Sequence, residues 1–228
     1  YNNYQNPISA ESSKEEMEEI AKIAIENNLW VLADDAYYEI KYDGKSRSIV
    51  EIPGMRDRTV ILYTFSKKYA MTGWRVGGSI GPEKIIKIIS KLNVNAESCT
   101  THFIQDAMVE ALNGDQSGPN EILRRLKKRR DVAVSGLNAI DGIEISTPES
   151  TFYLFPKVNE ILKRKGFESV EKLQLGALKN ANVSFCTRDH FGRPQQDEVD
   201  YYIRFAYSGI SAEDIEEGLK KLKTYFED

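Results

Sequence analysis

The chain has 228 residues, 41% apolar and 29% charged, which is enough to bury one large or two modest cores. A formal net charge of -4 leaves no footprint for nucleic acid, and the one basic run, Lys127-Lys128-Arg129-Arg130, falls inside a helical pattern as its solvated face. No apolar run approaches the roughly 20 residues of a membrane helix, and Cys99, Cys186, His102 and His190 form neither a disulfide scaffold nor zinc-ligand spacing, so a reducing, cytoplasmic setting without a metal site is expected.

In chain order, Ser13-x-x-Glu16 is a capping box that opens a helix running to about Asn28, with Met17, Ile20, Ala21, Ala24 and Ile25 inward. Strands are predicted over 30–34 and 59–65, the second starting with the apolar run Thr59-Val60-Ile61-Leu62-Tyr63 of a strand covered on both faces in a parallel sheet. Helices follow over 83–94, 101–113 and 119–140, the last long enough to join two domains. Short strands are expected over 142–146, 151–155, 182–186 and 201–207, with helix over 157–180 and again over 211–227, opened by Ser211. The order is α/β followed by α+β.

Four stretches carry chemistry. Trp30-Val31-Leu32-Ala33-Asp34-Asp35-Ala36-Tyr37 is an apolar strand ending in a carboxylate, which is expensive to bury unless it meets a cation. Asp35 reads as a solvated acid at the mouth of the turn. Thr64-Phe65-Ser66-Lys67-Lys68-Tyr69-Ala70-Met71-Thr72-Gly73-Trp74-Arg75-Val76-Gly77 leaves a strand with paired lysines and reaches an arginine eight residues after Lys67; its first five residues alone also fit a plain basic strand exit. In Tyr201-Tyr202-Ile203-Arg204-Phe205, Arg204 stands among apolar neighbours and needs an anion, either a ligand carboxylate or an internal salt bridge. Asn6-Pro7 marks a loop.

Together, in this order and spacing, these stretches resemble the fold-type I pyridoxal-phosphate-dependent aminotransferases, aspartate aminotransferase-like. The resemblance implies that Lys67 bonds covalently to the cofactor's aldehyde, that Asp34 partners the pyridinium nitrogen, and that Tyr37 and Asn6 hydrogen-bond the phenolic oxygen. It further implies that Thr64, Ser66 and Arg75 hold the phosphate, with Gly73 letting the backbone turn close to it, and that Arg204 clamps the substrate carboxylate. Catalysis is assigned to Lys67, Asp34 and Tyr37, and no metal is called for. The chain departs from the family pattern at Ile8-Ser9, where Thr-Gly is usual, at Thr64, where Ser or Gly is usual, and at Ser150-Thr151, where Gly-Ala is expected before Phe152-Tyr153.

The same resemblance implies the C-terminal portion of such an enzyme: residues 1–128 as the C-terminal part of the large cofactor-binding domain, a mostly parallel sheet with helices, and 129–228 as the small domain. The implied reaction moves an amino group between an amino acid, whether aspartate, alanine or aromatic, and a 2-oxo acid. A C–S lyase, a cyclopropane-forming (ACC-synthase-like) enzyme and a non-catalytic folded fragment remain open. A homodimer is implied for the full-length protein, with small-molecule substrates and neither nucleic-acid nor membrane partners. The chain by itself is expected to be inactive.

Overall fold

The computed structural model describes residues 1–228, which divide into two compact units, Tyr1–Gln5 with Ala10–Leu123 and Asn6–Ser9 with Arg124–Asp228. The division falls inside one long helix. No helix is long and apolar enough to cross a membrane.

In the first unit, helix α1 (Lys14–Glu26) starts where Ser13 caps it: Ser13 Oγ accepts from Glu16 N at 3.1 Å and the Glu16 carboxylate accepts from Ser13 N at 2.7 Å. Strand β1 (Val31–Asp34) pairs in parallel with β2 (Thr59–Thr64), in register from Val31 opposite Thr59 to Asp34 opposite Leu62. One face of this pair closes a core of Ala33, Ile49 and Met55 against Ala21 and Ala24 of α1. The other face turns Leu32, Asp34 and Leu62 outward. A third strand, β3 (Gly77–Ile80), runs antiparallel on the far edge of β2, with Thr64 opposite Gly77. Its Gly-Gly-Ser-Ile sequence carries no strand periodicity, and it forms because a backbone without Cβ can lie against the carbonyl of Tyr63. Helices α2 (Glu83–Ala96) and α3 (His102–Asn113) follow.

Asp35, one residue past β1, is 3% exposed. Its Oδ2 accepts from Ser48 Oγ at 2.7 Å, while Oδ1 has no hydrogen-bond partner. Burial pushes its carboxyl up from the usual range; the Ser48 bond opposes this, and Asp34 and Glu51 add to it.

Helix α4 (Ser117–Asn138) carries the chain into the second unit, where α5 (Asn159–Lys165), α6 (Val170–Ala181) and α7 (Ala212–Glu227) follow. The sheet here is short and antiparallel: β4 (Tyr153–Leu154), β5 (Cys186–Thr187) and β6 (Ile203–Ala206) in the order β4-β6-β5. Leu137, Leu154, Ile161, Leu173, Leu222 and Phe226 are fully buried in its core. The strand expected over 182–186 forms only from Cys186, as β5, and two further expected elements differ. The single helix over 157–180 is two, broken where Gly166 takes φ +64° and Ser169 caps α6. No strand forms over 142–146, because Asn138 satisfies both backbone groups of Ile145, its Nδ2 donating to the carbonyl at 3.0 Å and its Oδ1 accepting from the amide at 2.8 Å.

Two outcomes test this packing. A Cβ at Gly77 would lie 2.5 Å from the Tyr63 carbonyl oxygen, whereas one at Gly78 meets nothing within 4 Å. Gly77→Ala should therefore cost about 2 kcal/mol or more and Gly78→Ala under about 0.5 kcal/mol in denaturant unfolding; equal losses would show that β3 does not depend on that approach. For Asp35 the folded state favours the protonated acid, so its contribution is present at low pH and lost as pH rises through its raised pKa. Asp35→Asn should stabilise the chain at neutral pH by about 1 kcal/mol, with the gain fading in acid, as read from thermal melts across pH; a loss at neutral pH would contradict the orphaned-carboxylate account.

Candidate active site

The lysine turn is fixed from beneath. Phe65, Met71 and Val76 form a buried cluster against which Ile104, Ala107 and Met108 of α3 pack. Phe65 N donates to Val76 O at 3.3 Å, and Met71 N to Phe65 O at 3.4 Å, so the turn closes on itself. Tyr63 meets Phe65 edge-on at 5.3 Å, and Tyr69 stacks on Phe65 at 5.5 Å. Ala70 and Arg75 take left-handed φ of +54° and +53°, the bends that let the chain return to β3. A Cβ at Gly73 would meet nothing within 4 Å; the close backbone approach in this stretch belongs to Gly77.

On this turn Lys67 Nζ lies 5.3 Å from the centroid of the Tyr37 ring. Burial lowers its pKa first, the Arg75 guanidinium lowers it further, and Asp34 opposes both. Lys67, Tyr37, Asp34 and Arg75 thus share one electrostatic neighbourhood. Thr64 Oγ1 and Ser66 Oγ are hydrogen-bonded at 2.9 Å, and Thr64 Oγ1 also accepts from Ser66 N at 3.1 Å. Arg75 Nη1 donates to Thr72 O at 2.9 Å, which anchors one end of its fork. Two hydroxyls and a guanidinium make a donor set suited to a phosphate.

The two acids at the end of β1 exchange the burial expected of them. Asp34 is exposed, with Oδ1 accepting from Ala36 N at 3.3 Å, and Asp35 is the buried one. Side chains alternate along an extended chain, so Asp34 shares the outward face of Leu32 and Leu62 while Asp35 follows Ala33 into the core. Asp34 is nonetheless the acid whose charge acts on Lys67.

In the second unit, Arg204 on β6 lies between two rings, its guanidinium carbon 4.5 Å from the centroid of Tyr153 and 4.7 Å from that of Phe191. Nη1 donates to Asn6 Oδ1 at 2.8 Å, and Nη2 donates to Cys186 Sγ at 3.5 Å. Nε is buried and has no partner. No carboxylate pairs with it, so the internal salt bridge is not the arrangement found. Asn6 spends its oxygen on Arg204 and keeps its amide N–H groups as donors.

Sequence reasoning missed three groups. Tyr153 and Phe191, the rings around Arg204, stand far from it in sequence and have no motif spacing to it. Ser9 and Thr151, both buried and both at positive φ of 55° and 60°, meet each other: their hydroxyls are 2.5 Å apart, and Ser9 Oγ donates to Tyr153 O at 2.8 Å. The bulk at Ser150-Thr151 therefore packs inward, fully buried. Glu39, two residues past Tyr37, bonds Lys68 and Tyr63. Its only sequence signal is that nearness to Tyr37.

Known proteins resemble the chain in sequence and in fold. The chain is 34% identical over 202 residues to an aspartate aminotransferase of Bacillus sp. (strain YM-2), covering 88% of this chain and 52% of that protein. It is 32% identical over 225 residues to aromatic-amino-acid aminotransferase 2 of Thermococcus litoralis, covering 97% and 55%. The crystal structure of the aspartate aminotransferase from Rhizobium meliloti superposes with a TM-score of 0.88 at 31% identity, over 99% of this chain and 57% of that one. The chain thus spans about half the length of the relatives it matches. The model of aminotransferase class I and II, whose members use pyridoxal 5'-phosphate, matches residues 1–222, and the chain belongs to that family.

Proposed function

We propose that this chain is the C-terminal portion of a pyridoxal-phosphate-dependent aminotransferase that moves an amino group between an amino acid and a 2-oxo acid. In this reading residues 1–128 complete the large cofactor-binding domain and 129–228 form the small domain. The observation that carries it is the lowered, half-buried amine of Lys67 grouped with Tyr37, Asp34 and Arg75. The buried, partnerless Nε of Arg204 supports it, because an orphaned cationic donor suits a substrate carboxylate.

The residues present fit the cofactor. Lys67 Nζ would hold it covalently, Thr64, Ser66 and Arg75 would bind its phosphate, Asp34 its ring nitrogen, and Tyr37 and Asn6 its phenolic oxygen. When bound, the cofactor supplies an electron sink that makes the substrate's α-proton acidic. Lys67 Nζ takes that proton, which its lowered pKa allows because a smaller share of the amine is already protonated at neutral pH. The Asp34 carboxylate would hold a proton on the ring nitrogen by charge. Arg204 orients the substrate through its α-carboxylate, with its plane fixed by Tyr153 and Phe191.

Of the aspartate, alanine and aromatic donors, aspartate and aromatic ones have counterparts in the relatives' names. The same reading makes the full-length enzyme a cytoplasmic homodimer, consistent with two free cysteines. Transfer is favoured over C–S lysis or cyclopropane formation by those names; turnover that requires a 2-oxo acid is its signature.

Full-length protein loaded with pyridoxal phosphate, reduced with borohydride and mapped by peptide mass spectrometry should carry the label on Lys67; a label on Lys68 would shift every neighbouring role. In the same protein, Arg204→Lys should leave cofactor absorbance intact yet lower kcat/KM by about 100-fold or more, since a point charge cannot reproduce a planar two-bond contact. Unfolding of the variant, without a selective loss of substrate affinity, would instead assign Arg204 to the scaffold.

A further inference from the structure

Two adjacent lysines leave β2, and the structure treats them in opposite ways. Lys68 Nζ is 2.5 Å from Glu39 Oε1, and its ammonium lies 4.9 Å from the centroid of the Tyr69 ring. The second carboxylate oxygen of Glu39 accepts the hydroxyl of Tyr63. Glu39 thereby joins three pieces of one unit: the turn after β1 that bears Tyr37, strand β2 at Tyr63, and the turn that bears Lys67 and Lys68. Both groups of the ion pair are shielded, with side-chain exposures of 21% for Lys68 and 26% for Glu39, so water screens it less than a surface pair.

We infer that Glu39 is a positioning residue: bonded to Lys68 and Tyr63, it withholds the second lysine from the cofactor's aldehyde and fixes the Lys67 turn against the Tyr37 turn. This rests on the reading of Lys67 as the cofactor-bonding lysine. The chemical reason is competition. Either amine can add to an aldehyde with loss of water, but only from its unprotonated form. Glu39 keeps Lys68 an ammonium, its bond raising the lysine's pKa against the burial that lowers it, while Lys67 is shifted down by burial and Arg75. The geometric reason is leverage: Lys68 neighbours Lys67 and Glu39 stands two residues after Tyr37, so one ion pair spans the elements that set the 5.3 Å between Lys67 Nζ and the Tyr37 ring.

The experiment uses full-length protein loaded with pyridoxal phosphate and reduced with borohydride, which adds hydride to the carbon of the C=N bond while the nitrogen takes a proton. The ratio of label on Lys68 to label on Lys67 is read by peptide mapping, and the orientation of the bound cofactor by visible circular dichroism before reduction. Glu39→Gln keeps the size and a bond for Tyr63 but removes the charge, and should raise the Lys68-to-Lys67 ratio above that of the wild type. An unchanged ratio and unchanged dichroism, with the wild type labelled on Lys67, would overturn the role of Glu39 alone. A wild type labelled elsewhere would overturn the reading of Lys67 itself. If Glu39→Gln does not fold, Tyr63→Phe cuts one tether and leaves the charge pair: the label should stay on Lys67 while the dichroism weakens, and unchanged dichroism would refute the positioning role.

Discussion

The Lys67 ammonium stands where its charge is costly, and the turn that carries it is held so that it stays there. Burial supplies the larger part of the cost and the neighbouring Arg75 the rest. Both demand a turn that does not yield, since a lysine side chain with four rotatable bonds would otherwise swing its charge into water. Phe65, Met71 and Val76 press the turn onto α3, Tyr63 and Tyr69 flank Phe65, and the Lys68–Glu39 pair ties the turn to the one bearing Tyr37. The positive φ of Arg75 follows from the same constraint: the chain must double back at once to lay β3 beside β2.

The second unit solves the opposite problem. No carboxylate occupies the fork of Arg204. Two rings sandwich its plane, and an amide oxygen and a thiol take one nitrogen each. Ring faces attract a cation without occupying its N–H directions, which is why one buried N–H is left over. A salt bridge would have satisfied the arginine and closed it to a ligand.

Much of this was legible in the sequence. Ser13 and Glu16 announced α1, the apolar runs announced β1 and β2, and the family resemblance linked Lys67 to Arg75. What was not legible has physical causes. Residues 142–146 carry strand-like composition, but one asparagine side chain took the backbone bonds a neighbouring strand would have made. The helix expected over 157–180 is interrupted because Gly166 takes a positive φ that ends α5. The burial of Asp34 and Asp35 was reversed because the strand's alternation, not the apolarity of the preceding run, decides which acid enters the core. Strand β3 was invisible because what makes it is the absence of a side chain at Gly77.

Two of the three departures from the family pattern, at Ile8-Ser9 and at Ser150-Thr151, meet through Ser9 and Thr151. Ser9 occupies a left-handed φ where glycine would be at ease, and Thr151, β-branched and so worse suited, does the same. Each adds a hydroxyl to a fully enclosed place, where an unpaired one would cost about 1–3 kcal/mol. The hydroxyls meet instead: Thr151 donates to Ser9, and Ser9 donates to the carbonyl of Tyr153. That carbonyl belongs to the residue whose ring stacks on Arg204, and Ser9 lies three residues from Asn6, which holds the same arginine from its Nη1 side. Ser9 and Thr151 therefore form a buried chain of hydrogen bonds to the residue that stacks on the arginine.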